Sequence, residues 1–353
     1  MTSKEFFKQI ELVSEEKGIS VDDLLEAFKK SLLNAYKRTY GNQSARVEIK
    51  PEKHELNIYS CKIVVNEVDP NLELEYEQIS LEDAKKKSPR YKEGDIIEEA
   101  INPKEFGRFA ATTAKQVFNQ NIRNFEKTNA YKYFKENESE LINGKVIQVQ
   151  DNFVTLDIDY NTTTLLPKKE MLPDDVFNVN DKVLLVITKV EDTTKGPKVF
   201  VSRTDKNFII RLFERNIPEL LDGTIEIMGI ARDPGDRTKL AVYSNDPKVD
   251  PRGACIGKNE SRLNEVKRYI NNEKIDLYVW SNDPITLVKN ALQPATVKEV
   301  INVDLKHKSS LAIVPDDQLS LAIGRQGQNV RLAVQSSGWK IDIKPESEVK
   351  KEN

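Results

Sequence analysis

The chain of 353 residues has few of the side chains that build covalent or metal-held scaffolds. It contains two cysteines, Cys61 and Cys255, and two histidines, His54 and His307. The cysteines are far apart and neither belongs to a C-x-x-C pair, so the sequence predicts neither a disulfide framework nor a zinc knuckle. The histidines lack acidic or cysteine neighbours at ligand spacing, which favours exposed surface positions over metal or acid–base roles. We therefore expect no cofactor and a reducing, cytoplasmic environment.

Long apolar runs and an excess of one charge are also missing. No stretch approaches the roughly 18 apolar residues of a membrane span, and charges occur early at the N-terminus, so neither export nor a membrane partner is expected. The formal net charge is −3, from 54 basic and 57 acidic residues. Coating of nucleic acid by bulk electrostatics needs clustered Lys and Arg. Any RNA must therefore bind at local sites.

The length predicts two to four domains, because single hydrophobic cores seldom grow beyond about 250 residues. Residues 1–137 read as a mixed α+β domain, with amphipathic helices around a small antiparallel sheet. Gly18 and Ser20 supply the stop and start signals of the first two helices. The expected elements are a helix over 1–17, a helix that starts after Ser20 and runs until Gly41, strands over 45–50, 55–65 and 74–79, and a long helix from 106 to about 137.

Residues 138–204 change to short β segments separated by Asp, Asn, Gly and Pro. Five such segments within about 65 residues are what a five-stranded OB-type barrel requires. The predicted strands cover 145–149, 153–158, 164–166, 182–190 and 199–202. A fold of this kind does not by itself identify a ligand.

A repeat occupies the rest of the chain. The segments Ile256–Leu263 and Ile323–Val330 align at an offset of 67 residues, which we read from the spacing of Gly257 and Gly324. Each copy has the order helix, glycine turn, helix and strand, in modules over 205–282 and 283–345. One structural unit therefore occurs twice.

The second glycine turn, Gly324-Arg325-Gln326-Gly327, is the GXXG loop of a KH domain. In such a loop the glycines let the backbone approach RNA phosphates, and the next helix offers its N-terminal amides. A lone GXXG is more often an ordinary turn, but the repeat and the element order favour a KH domain. Residues 253–259 superficially resemble a nucleotide-binding P-loop, yet the glycines are one residue too close and Asn259 replaces Ser or Thr. Nucleotide hydrolysis is not expected.

Several segments together resemble the NusA family of bacterial transcription termination/antitermination factors, over nearly the whole chain. They are Arg203-Thr204, Pro218-Glu219, the stretch 231–239 (ARDPGDRTK), the stretch 250–255 (DPRGAC) and the stretch 324–333 (GRQGQNVRLA). The resemblance implies a multidomain α+β protein with a mixed N-terminal domain, a five-stranded OB-type S1 barrel and two tandem type II KH domains. It also implies a monomeric, non-enzymatic elongation factor that modulates pausing, termination and antitermination. The implied partners are core RNA polymerase, nascent single-stranded RNA and other antitermination factors.

The resemblance also assigns candidate contacts. In the KH pair, RNA contacts are expected at Gly257, Lys258, Asn259, Arg262, Gly324, Arg325, Gln326, Gly327, Gln328, Asn329 and Arg331. S1-type barrels stack bases on aromatic side chains beside basic residues, which points to Phe153, Lys168 and Arg203, with a core position as the alternative for Phe153. Polymerase contacts are expected at Arg108, Lys115 and Arg123, for which a solvated helix face is the alternative.

Two departures from the family pattern change the expectations. Glu260 stands where the first KH loop would have its second glycine, so its side chain and negative charge predict a weaker first loop. Residues 346–353 form only a short charged tail, without the acidic repeats of some relatives, so regulation through such repeats is not expected.

Two other functional classes also use S1 and KH modules. A general RNA chaperone or translation-associated binder explains the S1 and KH modules but not residues 1–137. An exoribonuclease or phosphorylase with S1 and KH appendages needs a separate catalytic domain, for which no segment is left.

Overall fold

The computed structural model describes residues 3–40, 44–69, 77–101, 107–271 and 273–352. The chain forms two compact units, Met1–Ala130 and Tyr131–Asn353, which we describe separately. The elements of the first unit are α1 (Ser3–Lys17), α2 (Val21–Tyr40), β1 (Ser44–Lys50), β2 (Glu55–Val65), β3 (Glu77–Ser80), α3 (Leu81–Lys87), β4 (Ile96–Ala100) and most of α4 (Gly107–Glu136).

Local signals set the boundary between α1 and α2. Gly18 ends α1 with a φ of 63° and donates its amide to the Ser14 carbonyl over 2.9 Å. Ser20 caps α2, since its hydroxyl accepts the Asp23 amide over 3.1 Å. Both predictions are confirmed. Gly41 and Phe106, which were expected at helix ends, lie outside the described residues.

The sheet of the first unit is mixed, not antiparallel as predicted. Strand β2 pairs antiparallel with β1 and β4 but parallel with β3. The third strand was expected over 74–79, of which the described part, from residue 77, lies in β3. Alternation of apolar and polar residues gives no strand direction, and α3 and β4 are too short to show a clear period.

The second unit begins with the barrel. Its strands are β5 (Leu141–Val149), β6 (Phe153–Ile158), β7 (Thr162–Pro167), β8 (Lys182–Thr193) and β9 (Gly196–Ser202). The strand order is β7-β6-β5-β8-β9, and the two outer strands approach each other where the Thr164 hydroxyl donates to the Val199 carbonyl over 2.6 Å. The prediction of a five-stranded OB-type barrel is confirmed, and the barrel is nearly closed.

Two KH modules follow, each with a three-stranded sheet that has one antiparallel and one parallel pair. The first contains α5 (Lys206–Asn216), α6 (Pro218–Leu221), β10 (Ile225–Asp233), β11 (Arg237–Ser244), α7 (Pro251–Ile256), α8 (Ser261–Lys267) and β12 (Lys274–Val279). The second contains α9 (Pro284–Ala291), β13 (Glu299–Asp304), β14 (Ser309–Val314), α10 (Leu319–Ile323), α11 (Gln328–Ser337) and β15 (Lys340–Pro345). The charged tail expected after it includes a helix, α12 (Glu346–Glu352).

The three modules of this unit share apolar cores. Val186 of the barrel packs in one cluster with Phe208 and Leu212 of α5. Tyr278 of the first KH module packs in a second cluster with Trp339 of the second module. Burial of each such side chain stabilises the joint by on the order of 2 kcal/mol. The barrel and both KH modules therefore form one packed body.

Candidate nucleic-acid interface

The two glycine loops have the same backbone conformation. Gly257 has φ 74° and ψ 168°, and Gly324 has φ 77° and ψ 170°. The third and fourth residues of each loop are left-handed, with φ values of 54° and 58° in the first loop and 52° and 74° in the second. Each loop leads directly into a helix, α8 or α11. The sequence repeat is therefore also a repeat of backbone geometry.

Packing explains the first glycine of each loop. A Cβ on Gly324 would lie 2.7 Å from the Asn329 nitrogen, and one on Gly257 would lie 2.9 Å from Arg262 Cγ. A Cβ on Gly327, in contrast, would meet nothing within 4 Å. Gly327 therefore leaves open space at the surface where a phosphate would approach.

Glu260 takes the place of Gly327 in the first loop. It is an exposed residue in the left-handed region, which is unfavourable for side chains with a Cβ. Its carboxylate lies 3.3 Å from the Lys267 amine. The first loop keeps the KH backbone but has a strained residue and a negative charge at its tip.

Each loop presents a cation at its second position. Arg325 and Lys258 are both exposed, and within the described ranges neither forms an ion pair or a side-chain hydrogen bond. They lie at equivalent positions, each directly after the first glycine. An unpaired guanidinium or ammonium beside a helix N-terminus is suited to bind a phosphate.

Asn329, which was expected to contact RNA, has a buried side chain. It is 1 % exposed, and its Nδ2 donates to the carbonyls of Leu292 and Ala322 over 3.0 Å each. The side chain thus ties α11 to α9 and α10 beneath the loop. Its place in the sequence is next to the loop, but helical rotation turns it into the core.

Arg203 was expected to contact RNA but is buried at the joint between the barrel and the first KH module. Its guanidinium pairs with Asp175 over 2.7 Å and donates to the carbonyls of Leu184 and Tyr269 over 2.8 Å each. We therefore assign Arg203 a structural role. Only the tertiary structure brings these partners, which are far apart in the sequence, to one arginine.

Arg262 and Arg331 are partly engaged by carboxylates. Arg262 donates to Glu219 over 2.8 Å, and Arg331 pairs with Asp233. About half of the Arg331 side chain remains exposed, at 53 %. Both can reach a ligand only by sharing or leaving their present partners.

In the barrel, the structure brings Phe153 and Lys168 together. Phe153 is half-buried on β6 opposite Pro167, and the Lys168 amide donates to the Asn152 carbonyl over 2.8 Å. Lys168 is exposed, directly after β7. The backbone therefore places an exposed lysine at the end of the strand that pairs with the one carrying a partly exposed ring, and such a combination is suited to bind single-stranded RNA.

In the first unit, Lys115 and Arg123 are exposed on α4. The opposite side of this helix packs Phe118, Ile122 and Phe125 against α1 and α2. Arg108 lies in the same helix, but its side chain is outside the described part of the structure.

The first unit also contains a cavity with basic residues in its lining, which was not predicted from the sequence. The run of basic residues over 85–92 is the sequence feature that could have indicated it. The cavity has a volume of about 650 Å³, and Lys85, Arg90 and Lys92 are among its lining residues.

The described ranges also bear on metal binding and on membrane insertion. No group of three or more His, Cys, Asp or Glu side chains there is placed to hold a metal ion. None of the helices there is long and apolar enough to cross a bilayer.

Comparison with known proteins covers almost the entire chain. The matching family models are the NusA N-terminal domain over 5–128, the S1 RNA binding domain over 135–202, the NusA-like first KH domain over 203–280 and the NusA-like second KH domain over 284–351. The transcription termination/antitermination protein NusA of Halalkalibacterium halodurans is 43 % identical over 98 % of this chain and 89 % of its own. That of Bacillus subtilis is 41 % identical over 99 % of this chain and 92 % of its own. A solution structure of the N-terminal domain of the B. subtilis protein is 38 % identical, covers 36 % of this chain and 99 % of its own, and has a TM-score of 0.28.

Proposed function

The chain belongs to the NusA family, and on that premise we propose that it is a transcription elongation factor that binds RNA polymerase and nascent single-stranded RNA. In this role it modulates pausing, termination and antitermination in the cytoplasm. Termination and antitermination are the processes that the names of its relatives give. We further propose that it acts by binding and positioning, without catalysis.

The observation that carries the RNA-binding part is the second KH loop. Gly327 leaves open space at its tip, and the exposed Arg325 has no partner among the described residues. Helix α11 begins at the next residue, so its first amides face the same side as the loop. These three features provide steric access, a cation and a dipole for one phosphate.

Fewer residues are proposed as RNA contacts than were expected from the sequence. We keep Gly324, Gln326, Gly327 and Gln328, the cations Arg325 and Arg331, and in the first loop Gly257, Lys258, Asn259 and Arg262. We also keep Phe153 and Lys168 of the barrel. Asn329 and Arg203 are left out because their polar groups are buried and bonded within the protein.

The polymerase part is supported by the first unit. Its match to the NusA N-terminal domain model favours an elongation factor over a general RNA chaperone, which would not need such a domain. We propose Arg108, Lys115 and Arg123 of α4 as contacts with core polymerase. A chain tethered through the first unit would hold its RNA-binding modules at high local concentration near the transcript.

The RNA-binding proposal is tested by a matched pair of substitutions at equivalent loop positions, Arg325→Gln and Lys258→Gln. Both side chains are exposed and have no ion pair among the described residues, so both variants should fold. We expect Arg325→Gln to weaken binding of unstructured RNA about fivefold to tenfold and to reduce the slope of log K against log salt by about 0.7, the value for one phosphate on a single strand. Fluorescence anisotropy at several salt concentrations measures both.

We expect a smaller loss for Lys258→Gln, because Glu260 already opposes phosphate in the first loop. The exposed Lys195→Gln, in the barrel turn after β8, serves as the control and should change neither quantity. Equal and full binding by all three variants would contradict the proposed loop contact.

A further inference from the structure

A polar cavity lies where the second KH loop meets the first KH module. Its volume is about 360 Å³, within the lower range of small-molecule sites. The turn between β10 and β11 lines one side and the loop with the start of α11 lines the other. The lining residues are Asp233, Asp236, Arg325, Gln326, Gln328 and Arg331.

The cavity combines two carboxylates with two guanidinium groups, so its formal charge is balanced. Gln328 Nε2 donates to Asp233 Oδ2 over 2.9 Å and to Asp236 Oδ2 over 2.7 Å, which holds both acidic side chains in place. In the part of the chain that the structure describes, Oδ1 of each aspartate accepts no hydrogen bond. Arg331 also donates to Asp233 Oδ2, so the spare capacity lies in Oδ1 of both aspartates and in the exposed half of the Arg331 side chain.

This combination excludes several ligands. Inside the cavity a phosphate would be repelled by two carboxylates, and a metal ion would be repelled by two guanidinium groups. The phosphate proposed at Arg325 therefore belongs outside the cavity, at the open tip of the loop. A neutral, planar group with adjacent donors on one edge and adjacent acceptors on another fits best. Guanine is such a group, because its N1–H and N2–H₂ can donate to a carboxylate while O6 and N7 accept from an arginine.

We propose that this cavity reads a guanine base of the bound single strand, with Asp236 and Asp233 as the acceptors and Arg331, which pairs with Asp233, as the donor, while Arg325 binds the phosphate. The inference rests on the proposed RNA binding by the second KH loop. Uracil offers two carbonyl oxygens and one imino donor, so it satisfies the arginine but leaves the carboxylates without matched donors. Single-stranded RNA exposes its base edges for readings of this kind.

The test uses the full chain and an oligouridylate of about ten nucleotides, enough to pass two loops that each clamp four. Matched oligomers carry one guanosine, adenosine, cytidine or inosine at a central position. We expect one guanosine to raise affinity about tenfold over oligouridylate, as a good bidentate contact does. Inosine, which lacks the N2 amino group, should lose most of that gain.

The substitution Asp236→Asn should reduce the guanosine preference to about twofold without weakening oligouridylate binding, and should make guanosine and inosine equivalent. The exposed Asp192→Asn in the barrel is the matched control and should keep the preference. Because Asp236 is at the surface, its replacement should not affect folding.

Two results would overturn the inference without overturning the proposed RNA binding. One is equal affinity for all oligomers while Arg325→Gln still weakens binding. The other is a guanosine preference that the inosine oligomer shares in full and that Asp236→Asn leaves unchanged. Absence of binding to any oligomer would instead overturn the proposed RNA binding together with the inference.

Discussion

At the scale of single residues, the most informative position is Glu260. The first KH loop forces it into the same left-handed conformation that Gly327 adopts in the second loop, with φ values of 58° and 74°. The residue thus combines backbone strain with a charge that repels phosphate. The two effects can be separated by substitution.

We predict that Glu260→Gly stabilises the first KH module by up to about 1 kcal/mol, because a left-handed residue with a Cβ is strained by about that amount. It should also strengthen RNA binding severalfold by removing a carboxylate from the loop. Urea unfolding and fluorescence anisotropy measure the two effects. Glu260→Gln should improve RNA binding without stabilising the fold, so equal stabilisation by both variants would contradict the strain argument.

Lys239 is a second unusual residue, because its amine is buried on β11. It donates to the Gln293 carbonyl over 2.7 Å and lies 3.5 Å from Asp276. Burial lowers the pKa of Lys239 to about 8, with the nearby Asp276 charge opposing that change. A lysine in the unfolded chain has a pKa of about 10.4.

The sign of the resulting pH dependence follows from these two values. Below pH 8 the amine is charged in both states, and the folded state bears the cost of the buried charge. As the pH rises from about 8 to about 10, the folded protein loses the proton first, so this residue makes the free energy of unfolding increase, by at most about 1.4 kcal/mol per pH unit.

We predict that Lys239→Met removes this increase. Urea unfolding of wild type and variant at pH values from 8 to about 10 gives the difference. Both tryptophans of the chain, Trp280 and Trp339, lie in the KH pair, so their fluorescence reports its unfolding in the full chain. Parallel curves for the two proteins would contradict the low pKa of Lys239.

At the scale of elements, the joint between the KH modules depends on a helix that lies very close to a strand. A Cβ on Gly229 of β10 would lie 1.9 Å from the Ser336 carbonyl oxygen near the end of α11. Only glycine allows this approach, since the contact is with backbone that cannot rotate away.

We predict that Gly229→Ala destabilises the KH joint by about 1 to 3 kcal/mol, the usual cost of overpacking. The tryptophan fluorescence of the full chain should show a lower urea midpoint. Met228→Ala, at an exposed neighbour in the same strand, should change the stability by no more than about 0.5 kcal/mol. Equal midpoints for Gly229→Ala and wild type would show that α11 can move away without loss.

At the scale of the whole molecule, the division before residue 131 gives a better fragment boundary for testing polymerase binding than the boundary expected from the sequence. The sequence predicted a boundary at 137, but Phe134 is fully buried and its ring contacts Tyr133 and Tyr160 of the second unit. A fragment of residues 131–353 keeps these contacts, whereas one that begins at 138 loses them.

We predict that core RNA polymerase retains the full chain and not the fragment of residues 131–353. The double substitution Lys115→Glu and Arg123→Glu in the full chain should weaken retention at least about tenfold, because two rim charges steer the encounter. Lys195→Glu in the barrel turn is the control for added negative charge. Equal retention of the full chain and the fragment would contradict docking through the first unit.

The sequence by itself determined the features that depend on neighbours along the chain. The glycine spacing at 257 and 324 predicted two equivalent loops, and the apolar period predicted α1, α2 and α4, because helices and turns form from local interactions. Alternation also predicted all five barrel strands. It did not determine strand direction in the first unit or the short elements α3 and β4.

Only the tertiary structure decided what the polar side chains near these loops contact. Asn329 and Arg203 stand in the family motifs, yet both are buried and hold elements together. The guanine cavity joins Asp233 and Asp236 to Gln328, which lie 95 and 92 residues apart in the sequence. Local pattern gives the backbone of a loop, but the partners of a side chain depend on which distant element packs against it.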